Sequence, residues 1–506
     1  MKILHIKGII RAESDIMKKL VSIIIVTALI FMCAGISASA EGTEVSVPKI
    51  EIITEKGNGA SLQKADGYVN AEITITDGVN TPLSGSVLFK VRGNSTAMSS
   101  ISKKAFTFKF DKKTDVLGMG KGKKWALLAN CFDPTLLRNY TAFELAREMG
   151  VPYTSEQRIA ELWLDGEYRG CYTVYEPVQQ GKDRVDLDIE SNGGKNDFLI
   201  ELESTRVEEG VTYLSVGGVR FAVSEPEEPD AEQTAYITSV MTDIVNTLQK
   251  GDKHQIRSKI DVESFAKFYF LNEFIKNQDF GYSSVFFFYK NGKLYAGPPW
   301  DYDLSLGNVN GELNSANAKA ASVSDGIMQD KKNLYRWLCN KDWFQNEIKL
   351  VFLKNYGYIK NISADGGMLD SLRAQYSGVI NRNFQKWSVK RWWLNYQKIP
   401  FATYEENYAF LKQWTAERTA WLSDYYGVNE NSYVLGDTNR DYYVTISDVT
   451  TAQKTLAELP VTEFNSEAAD VDGSGLNIDN ITTIQRYIAG FEELYKIGGV
   501  MRGTKE

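Results

Sequence analysis

The sequence predicts an α+β protein, in which a β-rich part precedes a mostly helical part and a small all-α domain. Alternating apolar and polar residues, separated by turn residues, indicate strands over about 48–176. Helical periodicity dominates 184–426, and these two parts together form the body of the chain, 41–426. Two similar acidic segments indicate a separate repeat domain over 434–492. A polar linker at 427–433 and a tail at 493–506 complete the division.

Residues 1–40 have the pattern of a secretory leader. Met17-Lys18-Lys19 carries positive charge, 20–35 is almost wholly apolar, and Ala38-Ser39-Ala40 offers a small-residue cleavage site. We therefore expect a secreted, extracellular protein whose mature part begins near residue 41. No other segment approaches about 18 apolar residues, so we expect no membrane span in the mature chain.

Composition argues against several classes of function. Without the leader's 5 basic and 2 acidic residues, the totals of 57 and 65 give a net charge of −11, which disfavours nucleic acid as a partner. His254 is the one histidine outside the leader, which argues against His-dependent nucleophilic catalysis and His-based zinc sites. Cys131, Cys171 and Cys339 are too few for a disulfide framework, and whether two of them pair stays open. We expect the chemistry to use carboxylates, Lys, Arg and a metal ion.

The first part of the body is predicted to contain four strands, a helix and a hairpin. Period-two alternation gives the expected strands 50–53, 68–75, 87–91 and 105–110. Apolar spacing over 135–149, stopped by Gly150, predicts the helix. Asp165-Gly166 lies between the apolar runs 159–164 and 168–175, which is a strong signal for a two-residue hairpin turn.

The second part of the body is predicted to be mostly helical. Helices are expected over 231–249, 262–276 and within 332–425, and Asn291-Gly292 predicts a hairpin of 285–289 with 294–295. Five tryptophans of this part could form a sugar-stacking platform, although aromatic residues on helices are more often core residues. They are Trp387, Trp392, Trp393, Trp414 and Trp421.

Trp300-Asp301-Tyr302-Asp303 is the most specific motif of the body. Two carboxylates two residues apart, at the exit of a hairpin, can converge on a divalent cation. Asp279 lies 22 residues before Asp301, just after the 262–276 helix. Helix, Asp-bearing loop, hairpin and Asp-x-Asp turn follow one another in this order in the catalytic lobe of protein kinases. The order favours an atypical bilobal protein-kinase-like fold, although each Asp alone fits an ordinary turn equally well.

In such a fold the β-rich part would bind a nucleotide. The polar turn Arg92-Gly93-Asn94-Ser95 could direct backbone N–H groups and the Arg92 side chain at phosphates, although it also fits an ordinary hairpin turn. Lys104 begins the next strand and could reach the phosphates, with Glu144 or Glu148 of the following helix as its ion-pair partner. Glu176 ends the 168–175 strand, where a hinge between the two lobes would begin.

Several motifs of the body, in order over about 48–425, resemble the CotH-type secreted kinases. They are Arg92-Gly-Asn-Ser95, Lys103-Lys104, Trp125-Ala-Leu-Leu-Ala-Asn130, Leu137-Arg138-Asn139, Gly166-Glu-Tyr168-Arg-Gly170, Arg184-Val185 and Gly297-Pro-Pro-Trp-Asp-Tyr-Asp303. The resemblance implies an atypical kinase-like fold that uses ATP with Mg²⁺ or Mn²⁺ to phosphorylate proteins. It implies that Asp279 is the catalytic base, that Asp301 and Asp303 hold the metal, and that Arg92 and Lys104 bind the phosphates. Asn94, Ser95, Glu144 and Glu176 complete the expected nucleotide site.

The chain departs from the kinase pattern just after the expected base. Ser283 and Ser284 stand where a kinase catalytic loop normally supplies an Asn as second metal ligand. A non-catalytic body of the same fold that binds protein or sugar therefore stays open. A carbohydrate-active enzyme also stays open, because the aromatic content of the chain is high.

The two acidic segments near the C-terminus are copies of one calcium-loop unit. Asp437 recurs as Asp470 after 33 residues, whereas Asp448 recurs as Asn480 after 32, so the second loop is one residue shorter. The expected ligands are Asp437, Asn439, Asp441, the Tyr443 carbonyl, Thr445 and Asp448 in the first loop, and Asp470, Asp472, Ser474 and Asn480 in the second. Tyr442 replaces the usual Gly of the first loop, and a neutral Asn480 closes the second. We expect the first loop to bind calcium more tightly.

One helix follows each loop, over 449–456 and 481–488. Two units of a loop and a single helix resemble a dockerin, over about 434–492. The resemblance implies bound Ca²⁺ and a scaffoldin cohesin as partner, in a cellulosome at a bacterial cell surface. Ile446-Ser447 and Ile478-Asp479 occupy the positions with which dockerins recognise a cohesin.

Overall fold

A computed structural model describes residues 45–190, 196–204, 206–309, 315–389, 401–491 and 494–503. The expected leader and two of the five tryptophans, Trp392 and Trp393, lie outside the described residues. None of the described helices has the length and apolar character needed to cross a membrane.

Seven strands close into a barrel in the first part of the chain. They are β1 Lys49–Thr54, β2 Val69–Thr76, β3 Leu83–Val91, β4 Phe106–Asp115, β5 Lys121–Leu128, β6 Gln157–Leu164 and β7 Glu167–Tyr175. The strand order is β1-β2-β3-β4-β5-β7-β6, and parallel pairing of β1 with β6 closes the ring. Alternate residues face the interior, where Phe89, Phe108 and Trp125 are part of a fully buried core.

The hairpin of β6 and β7 confirms the prediction from Asp165-Gly166. Both turn residues have positive φ, +51° and +81°, as a two-residue hairpin turn of this type requires. The Asp165 carboxylate also accepts backbone N–H groups of Thr54 at 2.7 Å and Gly59 at 2.6 Å. The turn thereby holds the end of β1 beside β6, where the barrel closes.

A second sheet has five antiparallel strands, three of which the sequence analysis did not predict. The strands are β8 Phe198–Leu202, β9 Tyr213–Val216, β10 Val219–Glu225, β11 Val285–Lys290 and β12 Lys293–Ala296, in the order β12-β11-β8-β10-β9. The hairpin of β11 and β12 around Asn291-Gly292 is as predicted. The strands β8, β9 and β10 lie in the part that was expected to be mostly helical.

Helices pack around this sheet and account for most of the remaining body. They are α1 Arg138–Glu148, α2 Ala231–Lys250, α3 Lys253–Lys259, α4 Val262–Phe274, α5 Ala316–Ser322, α6 Asp342–Ile362, α7 Met368–Gln375, α8 Ser377–Lys386 and α9 Tyr404–Tyr426. The central helix is α4, which is apolar on nearly all sides and buried along most of its length. It holds the loop that carries Asp279 in place from the core side.

The described tryptophans of the helical part contribute to packing. Trp414 is buried and donates its indole N–H to the Ser322 carbonyl, and Trp387 donates to the Arg169 carbonyl. Trp421 packs against the core and stacks on Tyr425. These contacts favour the core interpretation over a sugar platform for these three residues.

The described architecture is thus a mixed α and β fold that contains a closed seven-stranded barrel. A bilobal protein-kinase-like arrangement stays a prediction. The cysteines Cys131, Cys171 and Cys339 are free thiols.

The repeat region packs around its own small core. It contains α10 Ile446–Leu456, α11 Ser466–Ala469 and α12 Ile478–Ile488, between the paired strands β13 Tyr433–Val434 and β14 Val500–Met501. Residues expected to be a tail therefore pair with the end of the expected linker, and Ile497 joins the repeat core. Asn346 of α6 fixes this region to the body, because its side chain donates to the Gly498 carbonyl at 2.8 Å and accepts the Val500 N–H at 3.1 Å.

Candidate active site

A cavity of about 750 Å³ lies where the Arg92 turn of the barrel faces the second sheet. It brings together most of the residues that the sequence marked in the body. Arg92, Asn94 and Ser95 line it from the barrel, and Asp279, Asp301 and Asp303 line it from the loops after α4 and β12. The carboxylates predicted from order along the chain therefore meet in one cavity.

Two residues of α1 fix the loop that carries Asp301 and Asp303. Asn139, in the first turn of α1, accepts the Tyr302 N–H at 2.7 Å, so it holds the peptide between the two aspartates. Arg138 donates its Nε–H to the Ser305 carbonyl at 3.1 Å. Asp301 itself has φ +62°, a backbone conformation that non-glycine residues rarely adopt. The two contacts from α1 hold the backbone just after this position and again at Ser305.

Asp279 lies in a single 3₁₀ turn, Gln278–Gly281, immediately after α4. The Asn277 side chain accepts the Asp279 N–H at 3.0 Å and sets the direction of this turn. Burial, together with the nearby Asp301 charge, raises the pKa of Asp279 to about 7, although Arg206 acts in the opposite direction. A carboxyl with a pKa near neutrality suits a general base that accepts a hydroxyl proton.

The two aspartates of the Asp-x-Asp turn share an acidic environment. Burial raises the pKa of Asp301, and the positive charges of Arg92 and Arg206 lower it. Burial also raises the pKa of Asp303, which the charges of Asp301 and Asp279 raise further. Partly buried carboxylates that share a cavity and are only partly neutralised suit a hard divalent cation such as Mg²⁺ or Mn²⁺. Asp301 and Asp303 would hold such an ion, which neutralises phosphate charge when bound.

Arg92 provides positive charge at the barrel side of the cavity. Its guanidinium lies 5.1 Å from the centre of the Trp300 ring, beside the Asp-x-Asp turn. This stacking directs the side chain into the cavity, where it can contact a phosphate.

The structure does not bring Lys104 to this cavity. Its ammonium group donates to the Ala97 and Met98 carbonyls at 3.3 and 3.2 Å, inside the turn that precedes β4. The neighbouring Lys103 lies within the barrel core and donates to the carbonyls of Ala129 and Cys171 at 2.7 and 2.6 Å. Both ammonium groups satisfy backbone carbonyls, which holds them away from the cavity.

The expected ion pair between Lys104 and Glu144 is not formed. Glu144 instead pairs with Arg147 at 2.6 Å on the same helix, and Glu148 lies at a different cavity. Glu176 is buried beside Arg184 at 3.7 Å, where burial raises its pKa to about 7. Glu176 does not line the cavity, whereas Pro177 and Val178, which follow it in the chain, do.

Comparison with protein-family models identifies the family to which the body is related. The family model described as CotH kinase protein matches residues 89–422. The chain belongs to the CotH family. A comparison with curated proteins finds no match. The CotH match includes every residue of the cavity named above, and it ends before the repeat region.

Three further residues of the CotH domain line the cavity and were missed in the sequence. Glu201 is the cavity-lining residue near the end of β8, and Glu203 and Arg206 follow this strand in the chain. Glu201 accepts the Ser284 N–H at 3.1 Å, and burial raises its pKa to about 7. Arg206 pairs with Glu203 at 3.1 Å and donates to the Ser283 hydroxyl at 2.9 Å. The sequence did contain a signal for this strand, because Glu201 and Glu203 alternate with the core residues Ile200 and Leu202.

The first acidic loop of the repeat region gathers three carboxylates. Oxygens of Asp437, Asp441 and Asp448 lie within 4.8 Å of one another, which no other set of three acidic, His or Cys side chains in the described chain achieves. Burial, together with the charges of Asp448 and Asp441, raises the pKa of Asp437 to about 6. Tyr442 has φ +69°, so the residue that replaces the usual Gly adopts the backbone conformation that Gly favours. The oxygen donors of this loop suit Ca²⁺.

The second loop is closed by an amide instead of a carboxylate. The Asn480 side-chain oxygen accepts the Val471 N–H at 2.6 Å, as the Asp448 carboxylate accepts the Thr438 N–H at 2.8 Å in the first loop. The Asn480 side-chain N–H groups point the other way and donate to Asp472 at 3.0 Å and to the Gly475 carbonyl at 3.2 Å. Donors therefore face oxygens that would serve as cation ligands. This arrangement supports weaker calcium binding at the second loop.

Proposed function

We propose that the CotH domain is a protein kinase that transfers the γ-phosphoryl group of ATP to a hydroxyl of a protein substrate. The observation that carries this proposal is the meeting of Asp279, Asp301, Asp303 and Arg92 in one cavity. The cavity has the size of an ordinary small-ligand site, and its carboxylates suit a metal–nucleotide complex.

In the proposed reaction Asp279 accepts the proton of the acceptor hydroxyl. The hydroxyl oxygen forms a bond to the γ-phosphorus, and the bond from that phosphorus to the bridging oxygen breaks, which releases ADP. Arg92 binds phosphate oxygens and stabilises the charge that spreads over the transferred group. Asn139 keeps Asp301 and Asp303 in place through the Tyr302 N–H. The pKa of Asp279, raised to about 7 by burial, allows it to accept a proton at neutral pH.

The test is transfer of label from γ-labelled ATP, with Mg²⁺ or Mn²⁺, to a mixture of candidate proteins and to the chain itself. Wild type should transfer label, whereas Asp279→Asn and Asp303→Asn should lose at least about a hundredfold in rate. Asp243→Asn is the matched control, because Asp243 pairs with Lys259 on the surface away from the cavity. Nucleotide binding without transfer in wild type would show a non-catalytic body, and absence of metal-dependent nucleotide binding would refute the kinase proposal.

We further propose that the repeat region is a dockerin that binds Ca²⁺ and attaches the secreted protein to a cohesin of a cellulosomal scaffoldin. The three clustered carboxylates of the first loop support the calcium part of the proposal. The partner part is supported by Ile446 and Ile478, which begin the two helices at equivalent positions and are 62% and 58% exposed. Exposed apolar side chains repeated in this way offer two equivalent contact points.

Cohesin pull-down with calcium and with chelator tests this second proposal. Binding should require calcium and should fall when Ile446→Asp and Ile478→Asp are combined. Leu494→Asp is the control, because Leu494 is also exposed but lies outside both loop–helix units. Binding that is indifferent to chelator would contradict the proposal.

A further inference from the structure

The cavity has a large excess of acidic over basic side chains. Among the described residues that line it, nine side chains carry carboxylates and two, Arg92 and Arg206, carry guanidinium groups. A nucleoside triphosphate adds about four further negative charges, so each positive group in the cavity favours its binding. Arg206 therefore becomes important, although neither the sequence pattern nor the family resemblance assigned it a role.

Arg206 is fixed at the position where the kinase pattern is incomplete. Ser283 stands in place of the Asn that normally ligates a second metal ion, and its hydroxyl accepts a hydrogen bond from Arg206 Nη2 at 2.9 Å. A guanidinium group here repels a cation that would bind at the same place. The residue that departs from the pattern is thus in direct contact with a permanent positive charge.

The contacts of Arg206 orient it and leave donors available. Its Nε pairs with Glu203 at 3.1 Å, its backbone N–H also donates to Glu203, and its carbonyl accepts from Arg220 at 2.8 Å. A guanidinium group has five N–H donors in a fixed plane. No described residue accepts a hydrogen bond from Arg206 Nη1, so this end can contact a phosphate oxygen.

We propose that Arg206 takes the place of a second metal ion, so that the cavity binds its nucleotide with one divalent cation held by Asp301 and Asp303. This inference rests on the proposed kinase function and makes it more specific. The attraction of Arg206 for both Asp279 and Asp301, described above, agrees with a location between the expected base and the expected metal ligands.

The decisive experiment counts Mn²⁺ ions by electron paramagnetic resonance on the full chain, with and without a non-hydrolysable ATP analogue. Only the increment that the analogue causes is used, so ions held by the acidic repeat loops cancel. We expect an increment of one Mn²⁺ per chain. An increment of two would overturn the inference while leaving the kinase proposal intact, and absence of analogue binding would overturn both.

Variants test the role of the side chain itself. Arg206→Met should weaken binding of the analogue by about tenfold or more in calorimetry, the usual effect of losing a hydrogen bond to a charged group. Arg373→Met is the matched control, because Arg373 forms an ion pair with Glu405 outside the cavity. Combining Arg206→Met with Ser283→Asn should raise the Mn²⁺ increment to two, in a protein whose circular dichroism and melting show that it folds. Unchanged affinity in Arg206→Met would overturn the inference.

Discussion

Asn139→Leu is the substitution that best tests how the Asp-x-Asp turn is held. Asn139 is 3% exposed, and its side chain accepts the buried Tyr302 N–H at 2.7 Å. Leu has the same number of side-chain heavy atoms and the same branching but offers no acceptor, so the N–H loses its partner. An unsatisfied buried donor costs about 1–3 kcal/mol of the free energy of unfolding. Since the peptide of Tyr302 joins Asp301 to Asp303, we also expect Mn²⁺ affinity in the cavity to fall by about tenfold or more.

Urea unfolding monitored by tryptophan fluorescence measures the first effect, and Mn²⁺ titration in the presence of the ATP analogue measures the second. Thr141→Val on the same helix is the matched control. Thr141 is buried, and its hydroxyl has no hydrogen-bond partner among the described residues, so a methyl group in its place should leave stability unchanged or slightly higher. If Asn139→Leu unfolds like the control and keeps its Mn²⁺ affinity, α1 does not position the turn.

Two further predictions concern the repeat region. Asn480→Asp should tighten calcium binding at the second loop by about tenfold, whereas Asp448→Asn should weaken calcium binding at the first loop by a similar factor. Each exchange changes the charge of the residue that closes one loop. Calorimetric titration measures both affinities, and equal affinities in the two variants and wild type would contradict the reasoning. Asn346→Leu should uncouple the repeat region from the body and lower its melting temperature, since Asn346 makes two hydrogen bonds to the Gly498 and Val500 backbone. Asn355→Leu on the same helix, which loses only a bond within α6, is the control for scanning calorimetry.

Local signals in the sequence were reliable where turn chemistry decides the structure. Asp165-Gly166 and Asn291-Gly292 both form two-residue hairpin turns with positive φ, because few other residue pairs tolerate that conformation. Closure of the barrel could not be predicted in this way. The parallel pairing of Lys49 with Glu161 joins residues more than a hundred positions apart, and nothing in either strand specifies its partner.

The direction of individual side chains was the weakest part of the site prediction. Lys103 and Lys104 are adjacent, so their side chains point to different sides, and the sequence does not reveal which side faces the cavity. Neither does, because each ammonium group donates to backbone carbonyls instead. Arg206 was missed because it follows β8, a strand that was not predicted although its acidic residues alternate with core residues. The aspartates were found because their order along the chain carries the information.

The cavity and the first repeat loop share one electrostatic property, and it yields a last prediction. Burial raises the pKa of Asp279 to about 7 and that of Asp437 to about 6, in each case with help from neighbouring carboxylates. A carboxyl whose folded pKa lies above its unfolded value of 3.8 binds its proton more tightly in the folded state, so stability falls as pH rises from about 4 to 7.

Divalent cations should remove this loss, because a cation held by Asp301 and Asp303 offsets the charge beside Asp279, and a cation in the first repeat loop binds Asp437 without a proton. In chelator, the free energy of unfolding should therefore fall between pH 5 and pH 8 by at least about 1 kcal/mol, and with Ca²⁺ and Mg²⁺ present it should change little. Asp279→Asn combined with Asp437→Asn should flatten the curve in chelator, whereas Asp243→Asn should not. Curves that run parallel with and without cations would show that protons and cations do not compete for these carboxylates, and both proposed metal sites would lose their electrostatic basis.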